Sequence, residues 1–306
     1  MSVPHALDPH RSESAAVVVG VDGSVGSERA VRWAAKVAVR RRRRLVLVHA
    51  LEIDTAHDVL TDPGALAIRT VRERGVERLL SAAAIARRAE PDVVIDTALL
   101  DGGAAPALIG HSPTAHLLVL GATGTGGAAT HLGSTLLAVT GHAKGAVVVV
   151  RDTEFAQRDD GTGPVVVGID ADHRGGLASY RAVEAAFAEA SERGCPLVAV
   201  HAWSDLPFGE FDDEFDGATP PETEAAALAL LGEGLAAWRE KYPEVTVEQH
   251  VYRCGARHHL LMWSKTAQLL VVGARGRGGF PGLPLGSTAN AMIQRAHCPV
   301  LVAHDR

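Results

Sequence analysis

Sulfur is scarce in this chain, and its cysteines are not arranged to cross-link it. Three cysteines in 306 residues, Cys195, Cys254 and Cys298, stand singly in the second half without Cys-x-x-Cys spacing. That argues against a disulfide framework and fits free thiols in a reducing cytoplasm, where the chain is expected to reside. No run of about 18 apolar residues occurs, so no membrane span is expected. The opening MSVPHALDPHRSES lacks the apolar core of a secretory signal, and residues 1–15 read as a disordered tail. No charge of one sign dominates either. Lys and Arg number 30 against 36 Asp and Glu, for a net charge of −6, so nothing steers the whole molecule toward nucleic acid. The one basic run, Arg40–Arg44, has no aromatics interleaved with it and reads as a solvated helix end whose cations complement the helix dipole. The histidines lack ligand spacing, so no metal site is assigned.

What the chain has in quantity is apolar residues, 47% of the total, and a long internal repeat. VVVGVD (Val17–Asp22) returns as VVVGID (Val165–Asp170) 148 residues later, and LVLVHA (Leu45–Ala50) as LVAVHA (Leu197–Ala202) 152 later. The Leu-Gly-Ser-Thr segments and the terminal apolar runs Ala146–Val150 and Pro299–Ala303 match at 153. A period this long is a duplicated domain rather than a solenoid unit of roughly 20–50 residues. The polar, glycine-flanked stretch 152–163 reads as a linker between one domain over 16–151 and a second over 164–306.

Within each half, continuous β-branched runs alternate with amphipathic stretches, the pattern of parallel strands buried on both faces and joined by right-handed helical crossovers. Strands are expected at Ala16–Val21, Leu45–Ala50, Val93–Leu100, His116–Gly121 and Ala146–Val150. In the second half they are expected at Val165–Asp170, Leu197–Trp203, Val245–Tyr252, Leu269–Gly273 and Val300–Ala303. A long helix over Ala65–Glu90 carries a candidate break at Gly75. The acidic stretch Ser204–Glu222 reads as a solvated flap. The fold class is α/β, with two tandem doubly wound Rossmann-like domains, each a five-stranded parallel sheet in the order 3-2-1-4-5.

In such sheets a ligand binds beyond the carboxyl ends of the strands where strand order reverses, between strands one and four. Strand one ends in Asp22 in the first half and Asp170 in the second, an acid suited to ribose hydroxyls. Strand four ends in a glycine loop that re-enters a helix at Gly-Ser-Thr. The first loop offers Gly121, Gly124, Gly133, Ser134 and Thr135, and the second Gly273, Gly276, Arg277, Gly286, Ser287 and Thr288. Backbone N–H groups, absent Cβ atoms and a hydroxyl pair at a helix start suit phosphate. Acid and loop together describe a nucleotide. The Lys of a Walker A loop is missing before Ser134 and Ser287, and a dinucleotide fingerprint would follow strand one, not strand four. Either loop alone could be a simple connecting turn; its recurrence in both halves favours a ligand.

These residues resemble the universal stress proteins, in their tandem two-domain, actinobacterial form, over nearly the whole chain. The pattern Gly-x2-Gly-x9-Gly-Ser/Thr of the ATP-binding members is met by Gly273, Gly276, Gly286 and Ser287. The opening VVVGVDGS through Ala35 and the VHAW of Val200–Trp203 are similar as well. Two departures stand out. Only eight residues separate Gly124 from Gly133, and the usual Asp-Gly-Ser becomes Asp170-Ala171-Asp172 in the second half. Arg275 and Arg277 can offset phosphate charge where the first loop has Thr123 and Thr125, which ranks the second site as the tighter.

The resemblance implies an ATP-binding, cytoplasmic regulator of a stress response, whose nucleotide state controls an unidentified regulatory protein partner or its own assembly. It further implies a homodimer or a pseudo-dimeric monomer joined through the fifth strands, Ala146–Val150 and Val300–Ala303. Two alternatives are a nucleotide-free dimerising scaffold and a weak ATP hydrolase. For the latter, Mg²⁺ would arrive only with ATP, on its phosphates and Asp22 or Asp170. His49 and His201 recur at strand tips and read as core or rim histidines rather than as a general base. No catalytic residue is assigned, and the chain is not expected to be an enzyme.

Overall fold

The computed structural model describes residues 15–51, 62–124, 133–151, 162–170, 180–202, 221–276 and 284–304, with the backbone alone over 62–65 and 221–223. The described residues divide into two compact units, parted after Arg151. The first runs β1 (Val17–Gly20), α1 (Val25–Arg40), β2 (Leu45–Leu51), α2 (Asp62–Ala89), β3 (Ile95–Asp101), α3 (Ala104–His111), β4 (Leu117–Gly121), α4 (Ser134–His142) and β5 (Ala146–Val150). β1 pairs in parallel with both β2 and β4, β2 with β3 and β4 with β5, giving the order β3-β2-β1-β4-β5.

The second unit repeats this with β6 (Val165–Ile169), α5 (Tyr180–Arg193), β7 (Leu197–Ala202), α6 (Pro221–Lys241), β8 (Val247–Tyr252), α7 (Ala256–Trp263), β9 (Leu269–Gly273), α8 (Ser287–Arg295) and β10 (Val300–Ala303). Its pairings give β8-β7-β6-β9-β10, again all parallel. The central strands β1, β4, β6 and β9 are almost wholly buried, as β-branched runs without polar alternation require. In the first unit α1 packs beside α2, and α3 beside α4. These pairs cover the opposite sheet faces that crossovers in two directions demand.

Most elements fall within two residues of their expected ends, and the differences have local causes. Val245, expected in β8, closes the turn after α6 instead, its N–H donating to Tyr242 O at 3.1 Å. The expected break at Gly75 does not occur, because α2 runs through it unbroken. A Cβ there would lie 2.8 Å from both Leu51 Cδ2 and Leu99 Cδ1, so the glycine lets the helix rest on β2 and β3. That packing outweighs a propensity cost of about 1 kcal/mol relative to alanine. Residues 1–14 of the expected tail, Trp203, the acidic flap as far as Pro220 and linker residues 152–161 lie outside the described residues, whereas Ala15, expected to end the tail, is buried.

The run Arg40–Arg44 is not merely a solvated helix end. Arg41 contacts His116, Arg43 Nη1 donates to Ala15 O at 2.8 Å, and Arg44 pairs with Asp96. Its main-chain geometry is a Schellman turn. Arg42 N–H donates to Val39 O at 3.0 Å and Arg43 N–H to Ala38 O at 2.8 Å. Arg42 stands at φ +51, the one described non-glycine residue in the left-handed region. The second unit builds the same turn after α5, with Gly194 N–H on Ser191 O and Cys195 N–H on Ala190 O, both at 3.1 Å. There the left-handed residue is Gly194, at φ +60. An L side chain in this region costs about 1–2 kcal/mol, against about 0.4–1 kcal/mol for the extra freedom of glycine when unfolded. Arg42→Gly is therefore expected to stabilise the first unit by about 0.5–1 kcal/mol in urea denaturation, and an unchanged or lower midpoint would contradict this.

Candidate functional site

The tip of β1 is built by short-range bonds. Val21 N–H donates to Val48 O at 2.8 Å, after which the chain leaves the sheet at Asp22. The Asp22 carboxylate turns the chain by accepting Ser24 N–H on Oδ1 at 2.9 Å, around Gly23 at φ +82. Ser24 then caps α1, its Oγ accepting Ser27 N–H at 3.1 Å. The same hydroxyl donates to Thr123 O at 3.1 Å, tying the start of α1 to the loop after β4.

Two glycines make that approach possible. A Cβ on Gly121 would lie 2.3 Å from the carbonyl carbon of Gly26 and 2.5 Å from its oxygen. A Cβ on Gly26 would lie 2.2 Å from Thr123 O. Gly121, expected as part of the anion loop, therefore stands at a backbone-to-backbone joint between β4 and α1. Gly124 is the glycine that faces the acid, since a Cβ there would come 3.0 Å from Asp22 Oδ2.

The second unit brings the matching residues together. Asp170 is half-buried at the tip of β6, and a Cβ on Gly276 would come 3.1 Å from its Oδ2. Gly286 N–H donates to Ala274 O at 2.7 Å, and a Cβ on Gly286 would lie 3.6 Å from Gly276 N. The start of α8 is thus folded onto the glycine loop. On Gly133 a Cβ would meet none of the described residues within 4 Å. Among the described residues, a Cβ on Gly273 would come 3.1 Å from Arg275 O. Arg275 is exposed. Thr125 and Arg277 lie outside the described residues.

Both helices that follow the loops begin on glycine. Gly133 (φ −63, ψ 148) and Gly286 (φ −69, ψ 155) are the N-caps of α4 and α8, and neither has a side chain to cap with. The first intrahelical bonds run from Leu137 N–H to Gly133 O at 3.1 Å and from Asn290 N–H to Gly286 O at 2.9 Å. The N–H groups of Ser134, Thr135 and Leu136, and of Ser287, Thr288 and Ala289, precede them and have no intrahelical acceptor. Ser134 and Ser287 are exposed and Thr135 and Thr288 half-exposed. Helix starts of this kind present donors to an anion, while the carboxylate across the crevice accepts from hydroxyls.

The two strand-tip histidines, expected as core or rim residues, are core residues. Both are buried, and each ties β2 or β7 to the residue before the acid. His49 Nδ1 lies 2.6 Å from Val21 O, and His201 Nδ1 lies 2.9 Å from Ile169 O. A carbonyl only accepts, so each Nδ1 carries the proton. The recurrence of His-Ala at the same strand position was the available signal. Among the described residues no group of His, Cys, Asp and Glu is arranged to hold a metal, and no helix is long and apolar enough to cross a membrane.

Two doubly wound parallel sheets, each with an acid at the tip of its first strand set against a glycine loop after its fourth, define a tandem Rossmann-like protein. The model of the universal stress protein family matches residues 15–151 and again 162–304. The chain is 36% identical over 301 residues to a universal stress protein of Mycobacterium tuberculosis, covering 96% of this chain and 98% of that one. It is 38% identical over 298 residues to one from Mycolicibacterium smegmatis, with 95% and 97% covered. A universal stress protein of Archaeoglobus fulgidus shares the fold, with a TM-score of 0.69 at 18% identity over 95% of this chain and 99% of that one. The chain belongs to the universal stress protein family.

Proposed function

We propose that this universal stress protein binds ATP in the crevice between strands one and four of each unit and acts as a nucleotide-dependent regulator in the cytoplasm. One observation carries the reading. In both units the second glycine of the loop is packed so closely on the strand-one carboxylate that a Cβ would stand 3.0 or 3.1 Å from an acid oxygen. An acceptor for ribose hydroxyls and a run of backbone donors for phosphates are thereby held side by side, twice. The residues proposed to contact ATP are Asp22, Gly124, Gly133, Ser134 and Thr135 in the first unit. In the second they are Asp170, Gly276, Arg277, Gly286, Ser287 and Thr288. Gly121 and Gly273 shape the strand ends that carry the loops.

The second crevice is the tighter of the two in this reading, supported by the fold of Gly286 onto Gly276 and by the loop arginines. Gly276→Ala is expected to weaken ATP binding by roughly tenfold, about 1.4 kcal/mol, and Gly124→Ala by less, both measured by titration calorimetry. Equal losses would contradict the ranking, and no heat with the unmodified chain would select a nucleotide-free scaffold instead. No residue is assigned to hydrolysis, because no general base is identified in either crevice. Any Mg²⁺ enters with the phosphates. The account expects no phosphate release above background, and release abolished by Asp22→Ala or Asp170→Ala would make the protein an enzyme.

A further inference from the structure

The two crevices differ in the source of their positive charge. The loop after β4 carries no arginine, and the first unit instead has a guanidinium on α2 beside the turn at Gly23 that follows Asp22. The Arg78 stem lies along Gly23, and a Cβ on that glycine would stand 3.5 Å from both Arg78 Cγ and Nε. Its head is fixed as well, with Nη1 at 3.3 Å from His49 Nε2. His49 already donates its Nδ1 proton to Val21 O, so its neutral ring offers Nε2 as an acceptor. A continuous line of contacts thus runs from α2 through His49 to the backbone that carries Asp22.

This arginine is not held there by an ion pair. On the same helix Arg69 pairs with Glu73 and Arg72 with Asp101, but among the described residues no carboxylate, Asp22 included, lies within 4 Å of the Arg78 guanidinium. Arg78 remains exposed, and among the described residues its only hydrogen-bond partner is His49. The repeat indicates what the second unit does instead. Leu79 and Leu231 stand 152 residues apart, as do His49 and His201 and Pro91 and Pro243. The same spacing carries Arg78 to Leu230, half-buried and apolar. The fold keeps the histidine in both units and the cation in only one, whereas the loop after β9 holds the exposed Arg275 where the first loop has Thr123.

We propose that Arg78 is a ligand-binding residue of the first crevice, a pre-positioned guanidinium that takes a phosphate of the bound nucleotide and serves there in place of the loop arginines of the second. This rests on the nucleotide reading of the crevice. A side chain locked by its stem and by one hydrogen bond loses little freedom on meeting an anion, and charge-assisted bonds from a guanidinium to phosphate are among the strong ones. Two crevices charged from different elements, α2 in one and the loop after β9 in the other, need not favour the same phosphate number, so they can answer differently to ATP and its breakdown products.

The test uses the full chain with the second crevice disabled by Asp170→Ala and Gly276→Ala together. ATP and adenosine are titrated calorimetrically into this parent and into the same chain carrying Arg78→Leu or Arg78→Gln. Both added changes are expected to weaken ATP by roughly tenfold and to leave adenosine affinity unaltered. The salt dependence of ATP binding should also flatten. ATP and adenosine falling together, or neither changing, would overturn the assignment while leaving the nucleotide site standing. A parent that binds neither overturns the nucleotide reading of the first crevice, and the assignment falls with it.

Discussion

Gly121→Ala is expected to abolish nucleotide binding in the first crevice and to destabilise the first unit. The expectation follows from what a Cβ meets. At Gly121 it would lie 2.3 and 2.5 Å from backbone atoms of Gly26, which cannot rotate away. Gly26 in turn has no room to move, because a Cβ there would already lie 2.2 Å from Thr123 O. Relief requires the first turn of α1 to separate from β4, which breaks the bond from Ser24 Oγ to Thr123 O and tilts the turn that aims Asp22. Overpacking of this kind costs about 1–3 kcal/mol or more. Urea denaturation and ATP calorimetry on the variant should show both losses, and a variant that keeps its stability and its ATP affinity would refute the joint.

Glu189→Ala is expected to cost the second unit about 3–5 kcal/mol, because it strands a buried arginine. Glu189 Oε2 accepts from Arg193 Nε at 3.0 Å, with side-chain exposures of only 3% and 6%. Arg193 Nη1 also donates to Gln268 Oε1 at 2.9 Å, and Gln268 Nε2 donates to Gly163 O at 2.7 Å, so the pair anchors the entry into β6. The first unit is built without this acid. At the spacing of 152 residues, Arg193, Gln268 and Glu189 fall on Arg41, His116 and Val37. There Arg41 is half-exposed and contacts His116. Burial is what makes the carboxylate necessary in the second copy. As a control, Glu28→Ala removes the exposed partner of Arg32, at 38% and 48% exposure, and should cost no more than about 0.5 kcal/mol. Urea denaturation followed by tryptophan fluorescence, with Trp33 in the first unit and Trp238 and Trp263 in the second, reads both variants, and a Glu189→Ala loss no larger than that of the control would contradict this expectation.

The sheet order, the alternation of strand and helix and most element ends were legible because they depend on local pattern. β-branched runs without polar alternation can only be strands buried on both faces. The duplication made each inference twice. The meeting of Asp22 with Gly124, and of Asp170 with Gly276, followed from topology alone, since strands one and four flank the reversal of strand order.

What the sequence hid were contacts between distant segments. Gly121 reads as a loop glycine, and only the approach of Gly26, 95 residues earlier, makes it a joint. Gly75 reads as a helix break because propensity is local, whereas its reason to exist is the side chains of Leu51 and Leu99. The arginine run reads as solvated because nothing in five adjacent cations names His116, Ala15 and Asp96 as partners. Arg78 was silent for the same reason, being one arginine among many on α2 until the fold laid it on Gly23.

The central claim is that acid and glycine loop hold ATP, and the most direct measurement is the nucleotide carried by the purified chain. Protein denatured after purification and resolved by anion exchange should release ATP, with about one equivalent per chain if the second crevice alone is filled and more if both are. The chain carrying Asp22→Ala and Asp170→Ala should release none. No nucleotide from the unmodified chain, together with no heat when ATP is titrated into it, would contradict the claim.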